Sequence, residues 1–214
     1  MIAPVSERSR VKRLPDRGAY DATSIHAVLD AAMVGHVGFV AAGRPVVIPM
    51  IYGRDGDALY LHGSVASRLQ RTLANGIDVC LTVTLVDGLV LARSAFHHSM
   101  NYRSAVVMGR AVLVRPEDKE HALRVISEHM TPGRWSEVRR PTPVELKQTS
   151  VLRLAIEEAS AKARTGGPID DAEDLDLPVW AGVLPCSQTW GQPIAATDLR
   201  VALPPSPSVV ARAV

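Results

Sequence analysis

Residues 59–73, LYLHGSVASRLQRTL, gather the side chains best suited to hold an anion. A strand pattern ends at His62-Gly63 and a helical pattern begins near Ser64. The first turn of a helix carries unpaired N–H groups and the positive end of the dipole. Gly63 permits close backbone approach, Ser64 and Ser67 offer hydroxyls, and Arg68 offers a planar fork matched to phosphate. Together they make a phosphate seat. The same residues also read as an ordinary N-cap followed by an exposed helical arginine. His62 could donate to a ring carbonyl or a phosphate, act as an acid or base, or be structural. His97 and His98 are adjacent in a strand pattern, so they point to opposite faces and do not share a metal ion. Asn101, Tyr102 and Arg103 either line a pocket or make a polar strand entry. There is no GxSxG elbow, HExxH, GxGxxG or P-loop, so neither a self-contained hydrolase nor a Rossmann fold is supported. A phosphate seat without its own nucleophile implies a bound phosphorylated cofactor that supplies the reactivity.

The elements that must position these residues are mostly strands. A helix starts near Asp21 or Thr23 and ends at Gly35. HVGFVAA and PVVIPMIYG form a hairpin around Gly43-Arg44, RDGD turns, and ALYLHG is the third strand. Pro49 inside the second strand marks an edge, a bulge, or a place where something other than a strand pairs. SVASRLQRTLANG reads as a short helix. DVCLTVTLV alternates as a half-buried strand, Asp87-Gly88 makes a hairpin turn, and LVLARSAFHHS returns. NYRSAVVMGRAVLV is a long strand and PEDKEHALRVISEHM a helix with Leu123, Ile126 and Met130 inward. SVLRLAIEEASAKAR is half strand-like and half ambiguous. Hairpins dominate, so the sheet is expected to be antiparallel and to close into a barrel.

The 214 residues are 47% hydrophobic and 21% charged, which fits a globular chain and excludes a disordered, coiled-coil or collagen-like one. A net charge of +2 gives no reason to invoke nucleic acid. No apolar run reaches a membrane span and no signal peptide is visible, so a cytoplasmic location is expected. Cys80 and Cys186 form no CxxC, and no metal site is expected. Three regions follow: an extended basic arm (1–19), a central domain (20–185) and a Pro-rich tail (186–214) that looks disordered at its end. The arm's Arg8, Arg10, Lys12, Arg13 and Arg17 could pair with the acidic run at 170–176, or both could be solvated.

The segments RVKRLPDRGAYD, HVGFVAAGRPVVIPMIYGRDGDALYLHGS, ASRLQRTL, TVTLVDGLVLARSAFHHSMNYRSAVVMGRA, SAKARTGGPIDD and LPVWAGVLP, in this order, resemble the pyridoxamine 5′-phosphate oxidase-like flavin-nucleotide-binding proteins. Within them the chain is similar to the branch that includes nitroimidazole-resistance reductases. The resemblance implies an α+β fold, a six- to seven-stranded antiparallel split β-barrel of Greek-key type, and a homodimer with FMN at the interface. It implies an oxidoreductase that passes electrons from NAD(P)H to a small organic acceptor. The alternatives are a non-catalytic flavin-binding or redox-sensing protein, or the same barrel using F420 or haem, with His62, His97 or His98 as haem ligand. It assigns Pro49, Met50, Ile51 and Tyr52 to the isoalloxazine, and His62, Gly63, Ser64, Ser67 and Arg68 to the ribityl-phosphate end, with His62 also catalytic. Asn101, Tyr102, Arg103, Ser104 and Trp180 would line the groove. Leu69 stands where the oxidases carry a second cation, and their C-terminal Arg-x-His pattern is missing, so vitamin B6 oxidation is not expected.

Overall fold

The computed structural model describes residues 6–213, so the first five residues of the basic arm and Val214 of the tail lie outside the described residues. The chain forms two compact units, each drawn from three stretches. One takes the residues up to Ala32 with Thr82–Val107 and Glu158–Gln188; the other takes Met33–Leu81, Met108–Glu157 and the residues from Thr189. Nine strands occur among the described residues: β1 (Gly18–Ala19), β2 (Val34–Ala41), β3 (Arg44–Asp55), β4 (Ala58–Ser64), β5 (Asp78–Leu91), β6 (Ser99–Leu113), β7 (Thr149–Ala155), β8 (Glu158–Arg164) and β9 (Gly182–Pro185). Their order is β1-β8-β6-β7-β4-β3-β2-β5-β9, with a further β6–β5 pairing. That pairing closes β6-β7-β4-β3-β2-β5 into a six-membered ring, and every register described is antiparallel. The expected antiparallel barrel is therefore present. No helix among the described residues is long and apolar enough to cross a membrane.

In the second unit, Ala42 and Gly43 sit at φ 50° and 71° between Ala41 and its partner Arg44, the two left-handed residues of a type I′ turn. The pair flanking such a turn is hydrogen-bonded, so residues 44, 46, 48 and 50 of β3 bond to β2 while 45, 47, 49 and 51 point their backbone groups away. Val37, Phe39, Tyr52, Leu59, Leu61, Leu81, Leu152 and Leu154 are buried, together with Ala122 and Ile126 of α3 (Lys119–Met130). Burying each large aliphatic side chain contributes about 1.5–3 kcal/mol. Leu123 and Met130, expected inward, are half-buried.

In the first unit, α1 (Ala22–Ala31) begins at Asp21, whose carboxylate accepts from Ser24 N at 2.8 Å. It buries Ile25, Val28 and Leu29. It ends at Ala32 and not at Gly35, which lies inside β2.

Three further expectations are corrected. Asp87-Gly88 is no hairpin turn: β5 runs straight through it. Gly88 pairs with Pro185 of β9, and a Cβ there would lie 2.8 Å from the Leu184 carbonyl oxygen, so glycine serves strand approach. The arm is not a free extension over its described part. Val11 N donates to Tyr20 Oη at 2.8 Å, Glu158 accepts from Arg8 and Ser6, and β1 pairs with β8. The tail's end is ordered as a short terminal helix (Pro207–Arg212). Glu137 closes the preceding short helix α4 (Arg134–Glu137), which follows α3. Its carboxylate accepts from the hydroxyls of Ser206 and Ser208 and from Ser208 N at 2.9 Å.

Those hydroxyls and the amide hold the Glu137 carboxyl down to about 2, against an ordinary 4.5. A lowered carboxylate pKa adds stability above the ordinary value and loses it as pH falls toward the folded one. Between pH 4.5 and 2, the terminal helix is expected to detach. Hydrogen exchange at 207–213 should accelerate across that window, and Glu137→Gln should remove the step. Unchanged protection down to pH 2 would show that Glu137 does not anchor the tail.

Candidate functional site

The β3–β4 ladder begins at the Asp55/Ala58 pair and ends at Tyr52/Leu61. Beyond that point β3 keeps β2 on one side, and β4 keeps β7 as far as Ser64/Thr149. No other strand pairs with β3 there among the described residues. A fork opens between residues 45–51 of β3 and 62–64 of β4. Alternation aims the backbone groups of Val47, Pro49 and Ile51 into it from one side, and those of His62 and Ser64 from the other. Pro45 and Pro49 fall where an N–H would point into the fork, so only carbonyls face it at those positions. Of the three readings of Pro49, an edge, a bulge or a place where something other than a strand pairs, the edge is the one the ladders show.

This brings together Pro49, Met50, Ile51 and Tyr52 with His62, Gly63 and Ser64. The Tyr52 side chain faces elsewhere: it is fully buried, and its ring lies 4.8 Å from that of His129 on α3. Only its backbone belongs to the fork. The His62 side chain reaches solvent, yet the surrounding protein desolvates the imidazolium and lowers its pKa below the ordinary 6.5. It is thus neutral at pH 7.

Beyond Ser64 the chain turns, with Ser67 N donating to Ser64 O at 2.9 Å and Ala66 N to Ser64 Oγ at 3.2 Å. Then α2 (Arg68–Ala74) begins with Ser67 as N-cap, whose hydroxyl makes no capping bond. At seven residues α2 has a weak dipole, so any anion there depends on the Arg68 and Ser67 side chains. Gln70 escaped the sequence reading. It is 1% exposed, neither amide atom has a hydrogen-bond partner, and it packs against Gly63, where a Cβ would lie 3.0 Å from its Nε2.

The other expected residues lie in the first unit, and their roles divide. Asn101 is buried, donates to Gly166 O at 3.1 Å and accepts from Arg164. Arg103 grips Asp87 with two bonds of 2.9 and 2.7 Å, so its fork is occupied; the bonds from Arg103 hold the Asp87 carboxyl below its usual range. Ser104 donates to Lys162 O at 3.2 Å. Trp180 is 67% exposed and covers Gly182. His98 Nδ1 accepts from Ala92 N at 3.0 Å, and His97 Nε2 meets Asp171 at 3.0 Å.

Tyr102 opens onto a cavity of 520 Å³ that no local motif announces. Arg13, Arg17, Lys162 and Arg164 line it beside His97 and His98. The acidic run does not neutralise these cations: Asp170 binds Arg93 at 2.8 Å, and Asp171 binds His97. Of the two alternatives read from the sequence, a pairing of the arm with Asp170 or Asp171 within the chain is not made among the described residues. Lys162 and Arg164 alternate on β8 and could have been read as one face, but residues 13–17 come to the same place only through the fold.

Comparisons with known proteins point one way. The family model described as pyridoxamine 5′-phosphate oxidase matches residues 21–163. Flavocytochrome Anf3 from Azotobacter vinelandii is 39% identical, with 99% of both chains covered and a TM-score of 0.91. An FAD and haem binding protein from Mycobacterium smegmatis is 36% identical, covering 92% of this chain and 97% of that one, with a TM-score of 0.89. A candidate 5-nitroimidazole antibiotic resistance protein from Bacteroides thetaiotaomicron is 25% identical over 68% of this chain and 85% of its own, with a TM-score of 0.56. No curated protein matches the sequence. The six-strand ring, the fork beside Pro49 and the family match agree: this chain belongs to the pyridoxamine 5′-phosphate oxidase family.

Proposed function

We propose that the protein is a flavin-dependent oxidoreductase that holds its flavin in the β3–β4 fork. The observation that carries this reading is the fork itself: two strand edges diverge, and two prolines remove donors from one of them. Such an edge suits a flat heterocycle with a mixed donor and acceptor rim, because carbonyls at Pro45 and Pro49 alternate with complete peptide groups at Val47 and Ile51. The bound flavin would supply hydride and single-electron chemistry. Ile51 N and His62 N would orient its polar rim. Arg68 and the free Ser67 hydroxyl would hold the phosphate, and Gly63 with Ser64 would flank the ribityl chain. His62, neutral at Nδ1 or Nε2, would hold or pass a proton at the open side of the site. The electron donor is read as NAD(P)H and the acceptor as a small organic molecule. FMN is the form that the family resemblance implies, while the similar mycobacterial protein is named for FAD. Exposed Val40 (61%) and Val47 (64%) on β2 and β3 support a homodimer that covers them.

A second reading adds a haem. It is favoured by the chemistry of the histidines: His98 and His97 each have a ring nitrogen already paired, whereas His62 is neutral and has no hydrogen-bond partner among the described residues. Neutral imidazole is the iron-ligating form. Two similar proteins are named for a haem-flavin combination or as a flavocytochrome.

The visible spectrum of freshly purified protein tests both readings. A two-band flavin spectrum is expected, bleached by NADH or NADPH, with a Soret band as well if haem is bound. Mass analysis of the released cofactor separates FMN, FAD and F420. Colourless protein that takes up neither added flavin would overturn the proposal.

A further inference from the structure

The 520 Å³ cavity of the first unit is lined by four permanent cations and no carboxylate. Arg164 is 6% exposed and its place is built: it donates to Asn101, to Gly166 O at 3.1 Å and to Gly167 O at 2.9 Å. These bonds use three of its five N–H groups, and none goes to an anion. Lys162 Nζ donates to the Arg13 carbonyl at 2.9 Å, which again leaves its charge uncompensated. Arg13 and Arg17 pair with no carboxylate among the described residues. Buried or converging cations without counter-ions are costly, so their persistence points to an anion that completes the site.

The other lining residues narrow its chemistry. Phe96 is 88% exposed, Ile169 72% and Leu14 46%, and Tyr102 stands beside them. Leu14 adopts φ 54°, a left-handed conformation that a leucine rarely takes. The volume exceeds what a single inorganic anion needs and lies in the range of small-molecule sites. Cations on one side and exposed apolar and aromatic surface on the other match a polyanion joined to a flat ring.

We propose that this cavity binds a nucleoside diphosphate moiety, with its phosphates on Arg17, Lys162 and Arg164 and its base against Phe96 and Ile169. Its source is a free adenine nucleotide. The assignment does not require the fork to hold a flavin ring.

Calorimetric titration of the purified protein with ADP, pyrophosphate and adenosine tests it, using wild type, Arg17→Gln and Lys162→Gln. Arg164 is left intact because it ties down the 166–167 loop. For a free nucleotide, ADP should bind, adenosine should bind at least tenfold more weakly, and each substitution should weaken ADP at least tenfold. ADP binding no tighter than adenosine, or ADP binding indifferent to the two substitutions, would overturn the proposal. The flavin band of the same samples reports on the fork separately, so failure here and failure of the flavin reading are distinguishable.

Discussion

Gly53→Ala is expected to destabilise the protein by roughly 3 kcal/mol, a fall of roughly 6–12 °C in Tm for a chain of this length. A Cβ at Gly53 would lie 2.7 Å from both Cα and N of Ile126 and 2.8 Å from the Val125 carbonyl carbon. All three are backbone atoms of α3, so no rotamer change relieves the clash. The helix must move off β3, and Ile126 and Ala122 lose burial with it. Gly191→Ala is the control: nothing lies within 4 Å of its added Cβ, so its effect should stay within about 0.5 kcal/mol. Equal melting temperatures for the two variants would mean that α3 does not rest on β3 in solution.

Arg68→Ala should strip the flavin while leaving the fold intact. Arg68 is exposed and forms no ion pair among the described residues, so its loss removes no internal contact. A charge-assisted bond to phosphate contributes about 1.5–3 kcal/mol, which corresponds to roughly tenfold to hundredfold weaker binding. Fluorescence titration with FMN and FAD measures it directly. His62→Ala should behave differently: flavin affinity should change little, and any Soret band should vanish. A His62→Ala protein that keeps its Soret band would assign the iron to another ligand.

The sequence was informative wherever structure is local. The alternation of Val79, Leu81 and Val83 became β5, Asp21 became a cap, and Pro49, read as an edge, a bulge or a place for something other than a strand, lies on an edge. It misled where a distant partner decides. Asp87-Gly88 carries the strongest local hairpin signal, but β9, about 95 residues further on, recruits that glycine for close approach. The tail looked disordered because the Glu137 carboxylate that anchors Ser206 and Ser208 is nearly 70 residues away. The same holds for function. His62, Ser67 and Arg68 lie within one heptad and could be read as a unit. The cationic cavity is assembled from three remote stretches and could not. Arg103 shows the converse error: its type suggested ligand binding, but Asp87, on another strand, already occupies it.

The prolines of β3 have a consequence for the chain before it acquires any cofactor. A diverging strand edge is a natural template on which a second molecule can lay a strand of its own and begin a fibre. With Pro45 and Pro49 at the outward positions, half of the donors such a ladder would need are missing. The newly made protein can therefore wait with its cleft open, receptive to a small planar guest and resistant to polymerising with its own kind.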